Sequence, residues 1–203
     1  MDRKLSAILF DMDGLMVDTE PVYWAVSREL ARRRGKTLSE AQLRMMMGIS
    51  RLDSMKVFVR ELGLSERPED VLEEREKEML VRYARGVEPM PGLREILQRF
   101  KGRLKLAVGT SSPVKFTSVL LPGMGVERYF DVIQTGDDIV RGKPDPEIYL
   151  KAAARLGVDP AECVVLEDTE AGCRAGKGAG ARVIAVPTEL TEAQDFSFVD
   201  ART

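Results

Sequence analysis

The sequence predicts an α/β protein: a doubly wound parallel sheet with an all-helical segment inserted between its first two strands. Three observations lead there. Short apolar runs lack the polar alternation of a half-exposed sheet and so read as buried parallel strands. Helical patterns separate those runs, as in an open α/β sheet. A long stretch after the first run keeps helical periodicity and holds no convincing strand.

The first run is Ala7-Ile8-Leu9-Phe10. From about 21 to 85 the pattern is helical: Val22, Val26 and Leu30 recur at helical spacing, as do Leu52, Met55, Val59 and Leu62. Thr37 and Glu40 suit a capping box, and Pro68 suits a helix start. The charged run from Glu73 to Glu78 reads as a solvated helix face with i,i+4 pairs. Pro89-Met90-Pro91-Gly92 marks the return to the sheet. The next runs are Leu104 to Val108, a weaker Val132-Ile133, Cys163-Val164-Val165-Leu166 and Val183-Ile184-Ala185-Val186. Asp145-Pro146-Glu147 predicts an N-cap followed by Pro at the first helical position, with Ile148, Ala152 and Leu156 as the apolar stripe. The expected division is a core from 1–16 and 89–203 and a helical insertion at 17–88.

Composition narrows the chemistry. The 203 residues carry 31 basic and 33 acidic side chains, a net charge of −2. That balance offers no general attraction to nucleic acid or to acidic membranes, and neither is an expected partner. No apolar run approaches the roughly 20 residues a bilayer span needs. Two cysteines are too few for a disulfide scaffold, so a reducing cytoplasm is the expected compartment. A monomer is the expected state, a homodimer the alternative. Histidine is absent, which excludes Ser-His-Asp and Cys-His catalysis and histidine-ligated zinc. Catalysis must run on carboxylates, Lys, Ser/Thr, Tyr or Cys, and a hard, oxygen-liganded cation is the metal to expect.

The polar residues fall where a parallel sheet binds ligands, at the carboxyl ends of strands. Asp11 and Asp13 follow the first strand, Thr110-Ser111-Ser112 the second, and Glu167-Asp168 the strand from Cys163. Lys143 sits in a loop, Gly142-Lys143-Pro144, that can reach the same edge. Each type has a use around phosphate. Carboxylates from two strand ends can hold magnesium. One carboxylate can attack phosphorus, and a second can protonate the leaving oxygen and then activate water. A hydroxyl and an ammonium can bind the phosphoryl oxygens, and Gly14 would let backbone N–H groups come close.

Together these motifs resemble the haloacid-dehalogenase-like hydrolase superfamily. The likeness rests on Asp11-Met12-Asp13-Gly14 with Asp18-Thr19-Glu20, Gly109-Thr110-Ser111-Ser112, Gly142-Lys143-Pro144-Asp145-Pro146, and Leu166-Glu167-Asp168 with Ala171-Gly172, in that order. The resemblance implies a Rossmann-like core under a mobile helical cap, Asp11 as nucleophile and Asp13 as general acid/base. It implies Mg2+ ligation by Asp11, the Asp13 backbone carbonyl and Asp168, with Glu167 a ligand or its neighbour. Phosphate binding would fall to Thr110, Ser111, Lys143 and Gly14. Gly48-Ile49-Ser50-Arg51-Leu52-Asp53-Ser54 resembles the substrate-holding cap segment of the β-phosphoglucomutase branch. That likeness nominates Arg51, with Ser54 and Glu20, as substrate contacts.

The implied activity is hydrolysis of a small-molecule phosphate ester. A phosphosugar mutase is the alternative enzyme, and a phospho-receiver signalling domain is the alternative of another class. The helical insertion and Asp13 argue against a receiver.

Overall fold

The computed structural model describes residues 4–203, so the first three residues of the predicted core lie outside it. Six strands form one parallel sheet: β1 (Ala7–Phe10), β2 (Lys105–Gly109), β3 (Val132–Gln134), β4 (Cys163–Glu167), β5 (Arg182–Ala185) and β6 (Ala201–Arg202). Their order is β3-β2-β1-β4-β5-β6. The winding therefore reverses between β1 and β4, and that switch point is where an open α/β sheet leaves a crevice at its strand ends. The chain divides into two compact units, 4–18 with 86–203, and Thr19–Arg85.

In the first unit Ala7, Leu9, Ala107 and Val165 are fully buried, which explains the unbroken apolar runs. Helices α7 (Glu147–Leu156) and α8 (Glu170–Gly178) pack on the sheet through Tyr149, Ala152, Ala153, Cys173 and Ala175. Helices α5 (Leu93–Phe100) and α6 (Val114–Gly123) bury Leu93, Leu97, Phe116, Leu120 and Leu121. The start of α7 differs by one residue from expectation. Pro146 is the cap rather than the first helical residue, and the Asp145 carboxylate accepts from the Glu147 N–H at 3.0 Å. Strand β6 had no apolar pattern to announce it. It is two exposed residues, positioned where Asp200 accepts from the Val183 N–H at 2.7 Å and Ala201 pairs with Ile184.

The second unit is helical: α1 (Glu20–Arg33), α2 (Glu40–Arg44), α3 (Arg51–Leu62) and α4 (Pro68–Tyr83). Val26, Leu30, Met55, Phe58, Val71 and Met79 form its interior. The capping box is Ser39 with Gln42, not Thr37 with Glu40: Ser39 has the extended backbone a cap requires and each side chain reaches the other's N–H. Pro68 does open α4.

The charged run on α4 is only half solvated. Lys77 pairs with Glu73 at 2.7 Å on the exposed side. Arg75 and Glu76, however, are 3% and 6% exposed. Position 75 stands one turn from both Val71 and Met79, so the helix carries it onto the interior face. There its guanidinium donates to the Ser54 hydroxyl at 2.9 Å and the Arg51 carbonyl at 3.2 Å, and lies over the Tyr23 ring. Burial pushes its pKa below the usual arginine value, with Tyr23 and Glu76 opposing. No helix among the described residues is long and apolar enough to cross a membrane.

Arg75→Ala removes the donor to the buried Ser54 hydroxyl and a second donor to the Arg51 carbonyl, and should cost about 2–4 kcal/mol. A thermal melt should show it as a fall of roughly 5–15 °C, with Lys77→Ala within about 1 °C of wild type. Equal effects at the two positions would contradict the burial of Arg75.

Candidate active site

The register of the sheet fixes the site. Phe10 pairs with Val108 on one side and Leu166 on the other, so Asp11, Gly109 and Glu167 come next in line at one edge. The Asp11 N–H donates to the Leu166 carbonyl at 3.0 Å, extending the ladder by one rung. Its carboxylate is 5% exposed. Lys143, from the loop before α7, donates to Asp11 Oδ1 and, at 2.6 Å, to Glu167 Oε1. One ammonium thereby joins two strand ends.

Glu167 is held on every side. Oε1 also accepts from the Tyr149 hydroxyl at 2.9 Å. Oε2 accepts from the Asp168 and Thr169 N–H groups at 3.0 and 3.1 Å and from the Thr169 hydroxyl at 3.0 Å. Thr169 is also the N-cap of α8, accepting from the Gly172 N–H at 3.1 Å. A Cβ on Gly172 would lie 1.7 Å from Glu167 Oε1, so the helix turns here only because that residue is glycine.

Asp13, half-buried, accepts at Oδ2 from the Ser112 hydroxyl at 2.8 Å and the Thr110 hydroxyl at 3.2 Å. Thr110 in turn accepts from the Ser112 N–H at 3.0 Å. Two hydroxyls from the end of β2 thus fix the second carboxylate of the first motif.

Asp11, Glu167 and Asp168 each present a carboxylate oxygen, all within 4.8 Å of one another. Asp168 Oδ1 is buried with no hydrogen-bond partner among the described residues. The charges do not balance around one lysine. Burial, with Glu167 and Asp13 adding and Lys143 opposing, raises the Asp11 pKa to about 8. Burial, Glu167 and Asp11 raise Asp168 to about 9. Burial works against the Lys143 charge, but Asp11 and Glu167 outweigh it and hold the ammonium well above its ordinary range. Buried oxygens, an excess of negative charge and one carboxylate oxygen with nothing to accept from fit a hard divalent cation.

The structure thus brings Asp11, Asp13, Thr110, Lys143, Glu167 and Asp168 together. Ser111 lies exposed on the same turn, outside these hydrogen bonds. The Gly14 N–H donates to the Val17 carbonyl at 2.9 Å. Its φ is +86°, and a Cβ there would lie 2.2 Å from Asp168 Oδ2, so the close approach to Asp168 needs glycine. Glu167 offers an oxygen to the acidic cluster while both its oxygens also accept hydrogen bonds, which fits a ligand or a ligand's neighbour. In the helical unit Glu20 opens α1, Arg51 pairs with Glu76, and the Ser54 hydroxyl is buried against Arg75.

Three residues of the site escaped sequence reasoning. Ser112 stood in view, but nothing said that it, rather than Ser111, turns inward. Tyr149 and Thr169 were singled out by no motif.

Comparison with known proteins bears on this geometry. The family model described as haloacid dehalogenase-like hydrolase matches residues 8–186. The chain belongs to that family. A phosphorylated carbohydrates phosphatase of Thermotoga maritima is 37% identical over 177 residues, covering 87% of this chain and 82% of its own. Among solved structures, CbbY from Rhodobacter sphaeroides in complex with phosphate superposes with a TM-score of 0.89 at 28% identity, covering 98% of this chain and 93% of that one. A putative beta-phosphoglucomutase from Thermotoga maritima superposes with a TM-score of 0.82 at 34% identity, covering 98% and 94%. The α/β core and the hydrolase class inferred from the sequence both stand.

The raised pKa of Asp168 carries a stability cost that depends on pH. A carboxyl held above its unfolded value costs nothing below about pH 4 and progressively more as pH climbs toward about 9. In the presence of chelator, Asp168→Asn should therefore melt higher than wild type at pH 8, with the gap closing toward pH 4.5. A gap that is constant with pH, or reversed, would contradict the charge crowding.

Proposed function

We propose that the chain is a magnesium-dependent phosphatase that hydrolyses a small phosphorylated carbohydrate or similar monoester through an aspartyl-phosphate on Asp11. The observation that carries this is the convergence on one sheet edge of a buried carboxylate, a lysine bonded to it, and a second carboxylate two residues on that is fixed by two hydroxyls. The relative named for phosphorylated carbohydrates supports the substrate class.

Asp11 attacks phosphorus with a carboxylate oxygen, and the bond to the leaving alcohol breaks. Asp13 gives that alcohol its proton. In the second half Asp13 takes a proton from water, the water oxygen bonds to phosphorus, and the acyl-phosphate P–O bond breaks to release phosphate and restore Asp11. Thr110 and Ser112 keep Asp13 aimed through both halves. Lys143 offsets charge on Asp11 and the phosphoryl oxygens, where preorganised positive charge supplies most of the rate. Magnesium, bound by Asp11, Asp168 and the Asp13 carbonyl, would supply further charge neutralisation between nucleophile and phosphoryl group. The helical unit is proposed as the cap that selects substrate, with Arg51 and Glu20 as its candidate contacts. Ser54 serves Arg75 instead. The two buried free thiols, Cys163 and Cys173, suit a cytoplasmic setting.

The likeness to a putative β-phosphoglucomutase favours one second reading, in which a sugar hydroxyl rather than water takes the phosphoryl group. A panel of sugar phosphates and other monoesters, assayed with Mg2+, tests both. Wild type should release inorganic phosphate from at least one, and Asp11→Asn should lose about 10³-fold or more in kcat. No phosphate release, or an Asp11→Asn variant equal to wild type, would overturn the phosphatase. Conversion of β-glucose-1-phosphate to glucose-6-phosphate faster than phosphate release would instead establish the mutase.

A further inference from the structure

Tyr149 is fully buried in the core cluster beneath β1, β2 and β4, beside Ile148, Ala152 and Ala153. A phenylalanine would fill that volume as well, so packing explains the ring and not the hydroxyl. The hydroxyl has a specific acceptor. It donates to Glu167 Oε1 at 2.9 Å, the same oxygen that accepts from Lys143 Nζ at 2.6 Å. Lys143 Nζ also lies 5.1 Å from the centroid of the Tyr149 ring. The ring reaches the end of β2 too: a Cβ on Gly109 would come within 2.9 Å of its Cε1. One side chain therefore touches the lysine, the carboxylate that anchors it, and the residue before Thr110.

We propose that Tyr149 is a positioning residue that holds the Lys143 ammonium between Asp11 and Glu167. The role given to Lys143 rests on the phosphatase reading above, whereas the place Tyr149 holds it in rests on geometry alone. Glu167 Oε2 is saturated by Asp168, Thr169 N–H and the Thr169 hydroxyl, so the carboxylate cannot rotate to share its charge elsewhere. At Oε1 the phenol occupies one lone-pair direction and leaves the other to Lys143. With the hydroxyl gone, Lys143 is the one remaining donor to that buried oxygen among the described residues. The ammonium is then drawn onto Glu167 and away from Asp11. Oriented partners of this kind are typically worth about 10–100-fold in binding or rate.

Tyr149→Phe tests this, because it removes one oxygen and keeps the ring. In protein labelled with 15N at lysine Nζ, the buried, doubly bonded ammonium should give a slowly exchanging signal that is absent from Lys143→Ala. Tyr149→Phe should broaden or abolish that signal. Its kcat should fall about tenfold or more with KM within about threefold, and the loss should vanish when Lys143 is already alanine, as coupled residues require. Persistence of the signal in Tyr149→Phe would overturn the proposal, as would an equal loss in both backgrounds. Failure of Tyr149→Phe to fold would also overturn it, since the hydroxyl would then be holding the core. If wild type shows no Asp11-dependent turnover, the phosphatase reading falls, and the ammonium signal still decides the role of Tyr149.

Discussion

The interaction on which the site depends is the bridge from Lys143 to Asp11 and Glu167. Three carboxylates buried at adjoining strand ends repel one another, and burial alone would drive them toward the neutral form. A single ammonium cannot neutralise all three. It joins Asp11 to Glu167, and Asp168 keeps a buried oxygen with no donor among the described residues. That surplus of carboxylates is what would let the cluster take a cation beside the proposed nucleophile, Asp11. Both properties come from one surplus.

The sheet makes that surplus possible. Asp11, Thr110 and Glu167-Asp168 are far apart in sequence and meet only because β2, β1 and β4 are parallel neighbours around the point where winding reverses. Glycines then permit contacts that any side chain would block. Gly14 clears Asp168 and Gly172 clears Glu167. The charges are crowded by close backbone approach, and the saturated hydrogen bonds of Glu167 keep the crowding from relaxing.

Much of this was legible in the sequence for a physical reason. Buried parallel strands are apolar from end to end, and a carboxylate following such a run has nowhere to stand except the strand end. That logic located Asp11, Thr110 and Glu167-Asp168, and the order of motifs added Lys143. What stayed hidden depends on rotation about single bonds or on a turn of helix. Ser111 and Ser112 are alike in sequence and opposite in burial. Tyr149 is one position from Ile148 and reads as core, which it also is. Arg75 looked solvated because its neighbours Glu73 and Lys77 are, although the α4 register places it inside with Val71 and Met79. Gly14 marks a close approach, and the sequence does not say that Asp168 is what it clears.

Charge left over by Lys143 is proposed to create a divalent cation site on Asp11 and Asp168. Calorimetric titration of metal-free protein with Mg2+ at pH 7.5 tests it most directly. One site is expected, with proton release measurable as a dependence of the heat on buffer ionisation, and with loss of binding in Asp168→Ala. Protons should leave because burial and neighbouring carboxylates raise Asp11 to about 8 and Asp168 to about 9. Binding without proton release, or undiminished binding by Asp168→Ala, would contradict it.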